Sequence, residues 1–233
     1  MKTIGLLGGM SWESTTSYYQ QINRGVQKEL GGLHSAKVIL NSVDFVEIES
    51  LQHVGDWQGT ADILIEAAKG VERAGADFVL ICTNTMHKVA DAIQENISIP
   101  ILHIADATAE KLKADGVSKV GLLGTRFTME QDFYKQRLTD KHGIEVVVPE
   151  AEEREVVHSV IYNELCKGLI EDPSRDRYLK IINDLYKSGA QAVILGCTEI
   201  ALLVKQTDTA VKLYDTTAIH ADYAVFFALN KDL

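Results

Sequence analysis

Two polar side chains end two nearly matching apolar runs in this chain, and the chemistry they offer is proton transfer. GADFVLICTNT begins at Gly75 and GAQAVILGCTEI at Gly189, 114 residues later, and at that spacing Thr83 falls on Cys197. Cys197 follows AVIL and precedes TEIALLV. That context sets it at a strand end and a helix entrance, where free backbone N–H groups favour an anion and lower a thiol's pKa from its reference of about 8.5. A thiolate so placed acts as a base. Thr83, at the corresponding strand end, offers a hydroxyl that donates a proton more readily than it abstracts one. Two such groups on opposite faces of one carbon are what inversion of a stereocentre requires.

The neighbours of this pair carry polar groups of their own. Cys82 is a rival thiol one residue before Thr83. Strand alternation turns it to the other face, although strands often lose their alternation on entering a turn, so both positions stay open. Asn84 and Thr85 match Thr198 and Glu199 in the repeat. They offer donors suited to a carboxylate, or caps for a helix over residues 86–97. Thr198 and Glu199 are placed to cap the following helix, and Glu199 would oppose a thiolate by like-charge repulsion. Gly8, Gly9, Met10 and Ser11 form the first strand-to-helix turn, with Thr125 and Thr128 in its counterpart. Such turns cradle anions through backbone N–H groups, but the G-x-G-x-x-G spacing of a dinucleotide site is missing. The seven histidines form no H-x-H or H-E-x-x-H pattern, so neither a metal nor a cofactor is expected. His87, Arg126 and Lys167 are either cations for an acidic substrate or solvated surface groups, and Cys166, inside VIYNELCKGLI, reads as core.

The elements that must position these residues repeat as well. IGLLGGM around Gly5 and VGLLGTRFTM around Gly121 lie 116 residues apart. Apolar β-branched runs alternate with segments of helical period, which predicts an α/β fold. The expected architecture is two pseudo-symmetric Rossmann-like lobes, each a mostly parallel sheet flanked by helices. The active site is expected in the cleft between them, outside the carboxyl ends of the strands. Strands are predicted near residues 3–7, 37–43, 78–81, 99–104, 119–123, 145–148, 192–195 and 211–214. The clearest helices cover 12–30, 60–74, 128–142 and 175–188, each closed by glycine. Residues 1–97 with 209–233 are assigned to the first lobe, and 98–208 to the second. The closing strand and helix over 211–229 thus return to the first lobe.

Composition removes several function classes. With 33 acidic against 23 basic residues the chain carries −10, which argues against nucleic acid and anionic membranes as partners. No apolar run reaches the length of a membrane span. Cys82, Cys166 and Cys197 make an odd count without a disulfide framework, so a reducing cytoplasm is the expected setting.

IGLLGGM at the start, CTNTMH after the first repeated strand and GCTEI after the second together resemble the aspartate/glutamate racemase family, and the similarity runs over essentially the whole chain. The resemblance implies a cofactor-independent amino-acid racemase interconverting L- and D-aspartate or glutamate, without pyridoxal phosphate. One side chain removes the α-proton while another supplies a proton to the opposite face. Most members use two cysteines. Carried over, the second is Cys197, whereas the first position here is Thr83. The resemblance also implies that Met10 and Gln52 contact substrate and that Asn84, Thr85 and Thr198 hold its α-carboxylate; Gln52 otherwise reads as a surface helix residue. A small acidic amino acid is the expected partner, and a homodimer the expected assembly. A single-thiol decarboxylase or cis-trans isomerase of the same superfamily, or a non-catalytic amino-acid-binding protein, are the alternatives.

Overall fold

The computed structural model describes residues 1–230. The chain divides into two units, Met1–Ile104 with the segment from His220 onward, and Ala105–Ile219. Both are α/β, with strands paired in parallel and with the strands Ile4–Gly8, Phe78–Ile81, Lys119–Gly124 and Ala192–Gly196 buried on both faces, the pattern expected when helices cover each side of a sheet.

In the first unit, β1 (Ile4–Gly8), β2 (Val38–Ser42) and β3 (Phe78–Ile81) pair in the order β2-β1-β3. Alternation divides the side chains between two cores. Leu7, Val79 and Ile81 pack with Ile48, Leu64, Ala68 and Val71 from the helices Phe45–Val54 and Trp57–Arg73. Ile4, Leu6, Phe78 and Leu80 pack with Tyr18, Ile22 and Val26 of the helix Trp12–Leu30, and with Ala221, Ala224 and Val225 of the helix Thr216–Leu229. Each fully buried Leu, Ile or Val of these cores contributes about 1.5–3 kcal/mol relative to exposure.

The second unit holds β4 (Lys119–Gly124), β5 (Glu145–Val147), β6 (Ala192–Gly196) and β7 (Lys212–Asp215) in the order β5-β4-β6-β7. Its register repeats that of the first. Gly5 of β1 pairs with Val79, and Gly121 of β4 pairs with Val193, so the spacings of 116 and 114 residues read from sequence reappear as matched strand pairs. The helix ends match too. Gly75 and Gly189 both take φ 97, a left-handed conformation that favours glycine, and each directs the chain into the next strand.

Three expectations are corrected. The closing strand does not return to the first unit, because β7 pairs with β6 through Lys212–Asp215, and only the chain from His220 joins the first unit. Its counterpart in the first unit is the stretch expected as a strand over 99–104, which makes a single bridge from Ile101 to Val79, the residue matched with Val193, and so stays with residues 1–97. Pro100 has no N–H to donate there, and the helix Ile104–Ala114 starts at once, leaving no room for a ladder. The helix expected over 128–142 is interrupted at Gln131, whose backbone is extended (φ −83, ψ 155), giving the helices Arg126–Glu130 and Asp132–Gln136 and a π turn at Arg137–Lys141.

Candidate active site

Cys197 stands one residue beyond β6, partly buried. Its thiol donates to Glu199 Oε2 at 3.0 Å, and the Thr198 hydroxyl donates to the same oxygen at 2.6 Å. Glu199 itself is only 4% exposed. The expectation that this strand end lowers the thiol's pKa is corrected. Burial pushes the Cys197 thiol well above its ordinary value, and the Glu199 carboxylate and Cys166 push the same way, against a weaker backbone contact from Glu199. The helix that follows, Ile200–Leu203, is a single turn, too short to present a substantial dipole. The side chain of Glu199 does not cap that turn. At rest the group is therefore a thiol whose proton already points at a carboxylate, a donor with an acceptor in place.

The corresponding strand end in the first unit is built differently. Cys82 continues the alternation of Phe78 and Leu80 into their core, is fully buried, and its thiol is pushed far up by burial alone. Its N–H donates to Leu7 O at 2.9 Å and its carbonyl accepts from Ser14 Oγ at 2.8 Å. Thr83, the next residue, is partly buried and leaves the strand. Asn84 and Thr85, 2% and 6% exposed, open a 3₁₀ turn at Thr85–Val89, and Asn84 does not cap that turn with its side chain. Met10 and Met86 lie in the core of this unit. Gln52 is buried rather than a surface residue of its helix. Its Nε2 donates to Met86 Sδ at 2.9 Å, while its Oε1 is a buried acceptor without a hydrogen bond. Leaving such an atom unpaired costs about 1–3 kcal/mol, so the position suits a donor brought by a ligand.

The two strand-to-helix turns spend some of their polar groups on their own structure. Gly9 N–H donates to Thr15 Oγ1 at 2.8 Å, and Ser11 Oγ accepts from Ser14 N at 3.3 Å. Thr125 Oγ1 accepts from Thr128 N at 3.3 Å and lies 3.2 Å from Thr128 Oγ1, with Thr128 fully buried. Met10, Gln52, Thr83, Asn84 and Thr85 thus belong to the first unit, and Thr125, Thr128, Cys197, Thr198 and Glu199 to the second. Of the three cations considered, Lys167 and Arg126 are exposed, Arg126 pairing with Glu155, whereas His87 is buried at 3% exposure. Among the described residues no group of His, Cys, Asp and Glu is arranged to hold a metal, and no helix is long and apolar enough to cross a membrane.

Sequence reasoning missed the surroundings of His87. The rings of His87 and His103 lie 4.5 Å apart and those of His87 and His220 5.9 Å apart, and His220 Nδ1 lies 2.8 Å from the hydroxyl of Tyr18. These residues come from four distant stretches of sequence, so no local spacing announced them.

In open parallel α/β sheets small molecules are bound outside the carboxyl ends of the strands, which is where Thr83 and Cys197 stand in their respective units. The chain belongs to the Asp/Glu/Hydantoin racemase family, whose model matches residues 7–224. It is 24% identical to the broad specificity amino-acid racemase RacX of Bacillus subtilis (strain 168), over 95% of this chain and 96% of that protein. A Yersinia pestis protein with a provisional Asp/Glu racemase assignment has a crystal structure that is 57% identical, with a TM-score of 0.93 over 99% of this chain and 100% of its own. An aspartate racemase homologue from Pyrococcus horikoshii OT3 is 37% identical, with a TM-score of 0.86 over 99% and 100% of the two chains.

Proposed function

We propose that this protein is a cofactor-independent racemase of aspartate, glutamate or both, with Cys197 and Thr83 as its proton-transfer pair, one for each face of Cα. Family membership and the likeness to RacX support the reaction class. The observation that carries the assignment of Cys197 is its thiol-to-carboxylate hydrogen bond to Glu199. Glu199 takes the thiol proton as substrate binds, and the thiolate formed then removes the α-proton. A general base so placed contributes typically 10²- to 10⁴-fold. The substrate's ammonium group favours the thiolate so formed, which then faces a neutral Glu199. Thr83 then delivers its hydroxyl proton to the opposite face of the carbanion and is reprotonated from water, while Glu199 returns the proton it took to the hydroxide left behind, so that both side chains end as they began. In the reverse direction each step runs backwards through the same transition states.

Asn84, Thr85 and Thr198 hold the α-carboxylate, Gln52 Oε1 accepts from a donor of the substrate, and Met10 lines the site. Thr125 and Thr128 serve the second carboxylate through the turn they cap. The reading extends to a homodimer, on the family resemblance, and to the cytoplasm, on the odd count of cysteines. Because the two enantiomers have equal free energy in achiral water, kcat/KM must be equal in the two directions, and the asymmetry of a thiol facing a hydroxyl is confined to kcat and KM separately.

The test is a panel of L- and D-amino acids followed by chiral chromatography in heavy water. Aspartate or glutamate gains deuterium at Cα as it loses optical purity, and Cys197→Ala abolishes both. Undiminished racemisation by that variant would sink the assignment.

A further inference from the structure

Two hydrogen bonds of the His87 ring have directions decided by their partners. Its Nδ1 lies 2.8 Å from the carbonyl oxygen of Thr83, and its Nε2 accepts the backbone N–H of Ile104 at 3.2 Å. A carbonyl can only accept and a backbone N–H can only donate, so Nδ1 carries the proton and Nε2 does not. The imidazole is thus neutral and held in one tautomer. It bridges the turn that carries Thr83 to the start of the helix Ile104–Ala114. Two residues before Ile104, the carbonyl of Leu102 accepts from Nε2 of His220 at 2.7 Å. The backbone opposite Thr83 is therefore itself pinned, and His87 ties Thr83 to a fixed rail rather than to a mobile loop.

Resting on the racemase reading, we propose that His87 is a positioning residue for Thr83: by gripping the Thr83 carbonyl it sets the direction in which the Thr83 hydroxyl meets Cα. Thr83 leaves β3 directly after the buried Cys82, and its carbonyl is the point at which the chain turns into the 3₁₀ segment. That carbonyl carbon is bonded to the Thr83 Cα that bears the hydroxyl side chain, so holding it in place fixes where this Cα, and with it the hydroxyl, can stand. A displacement of about 1 Å at a reacting group costs on the order of 10²-fold in rate, because proton transfer needs a near-attack geometry. His87 itself touches no substrate in this role.

The tie is read first without reference to catalysis. In ¹⁵N-edited spectra of the labelled full-length protein, His87 shows a protonated Nδ1 and a bare Nε2; a proton on Nε2 overturns the proposal. Kinetics then separate the two bonds. His87→Asn keeps an N–H where Nδ1 stood, His87→Gln extends an amide toward the Nε2 position, and His87→Ala keeps neither. In racemisation of aspartate and glutamate, kcat is expected to fall about 10- to 100-fold in the Ala and Gln variants, with KM within about 3-fold of the parent, while Asn restores most of kcat. Parent-like kcat in the Ala variant, or Gln rescuing as well as Asn, overturns the proposal. Should the Ala variant fail to fold, the Asn and Gln variants carry the comparison. A parent protein that exchanges no α-proton of any acidic amino acid removes the racemase reading and the positioning role with it, while the tautomer still reports separately on the tie.

Discussion

The strand ends at Thr83 and Cys197 occupy one register and are held in different ways. Each lies two residues past a strand residue, Ile81 or Leu195, that is paired to a matched partner, Leu7 or Leu123. In the second unit the polar group is a thiol answered by a side-chain carboxylate two residues on. In the first it is a hydroxyl whose backbone is answered by a histidine four residues on. A repeated fold thus preserves position more strictly than chemistry. Duplicated backbones must keep the strand pairing that buries their cores, whereas a side chain at a strand end is free to change once the sheet is closed behind it.

The sharpest way to break the comparison is to remove the thiol's chemistry and keep its size. Cys197→Ser is expected to lower α-proton exchange by at least about 10⁴-fold while leaving the melting temperature within a few degrees, because an alkoxide is far harder to form than a thiolate. Glu199→Gln comes next, at about 10²- to 10³-fold in kcat. Its signature is a sign: loss of the carboxylate removes a group that raises the Cys197 pKa, so ultraviolet titration of the thiolate should move to lower pH as activity falls. An unmoved or rising midpoint would remove the pairing of Cys197 with Glu199.

The first strand end is tested by two neighbours. Thr83→Ala should cost about 10²-fold in turnover with little loss of stability, whereas Cys82→Ala should leave kcat near the parent and cost about 1–2 kcal/mol in urea unfolding, because Cys82 fills core space. The reverse order would make Cys82 the proton-transfer group. The smallest effect lies behind that strand end, at His220, whose pKa burial lowers to about 4. Between that value and the ordinary 6.5 the unfolded chain binds a proton that the folded one does not, so stability declines as pH falls through this window. The loss is about 2 kcal/mol between pH 7.5 and pH 5. His220→Gln should flatten that part of the stability curve, and an unchanged slope would show that His220 does not stay neutral.

Much of this was legible in the residues. The paired GA-x-x-V and G-L-L-G strings predicted two α/β units, and their spacings return as the register of β3 against β1 and of β6 against β4. Alternation placed Cys82 away from Thr83, and the structure finds it in the core. The state of Cys197 was read in the wrong direction. The strand-to-helix context suggested a lowered pKa, but the short turn that follows and the burial of the sulfur, neither visible as a string, raise it instead. The place of β7 was also misread, since nothing local distinguishes a strand that joins β6 from one that joins the first unit. Whether Gln52 faces substrate or solvent could not be read from its own helix, which carries few charges on which to judge its faces, and its buried side chain meets Met86, 34 residues away.

Periodicity, glycine placement and the repeat are properties of neighbouring residues, and they sufficed to specify the seven strands among the described residues and the residues at their ends, though not that the stretch over 99–104 stops at a single bridge. Protonation state and orientation depend on desolvation and on partners brought from far along the chain. For that reason the carboxylate against Cys197, the core around Cys82 and the histidine that grips Thr83 were decided only when the chain had folded.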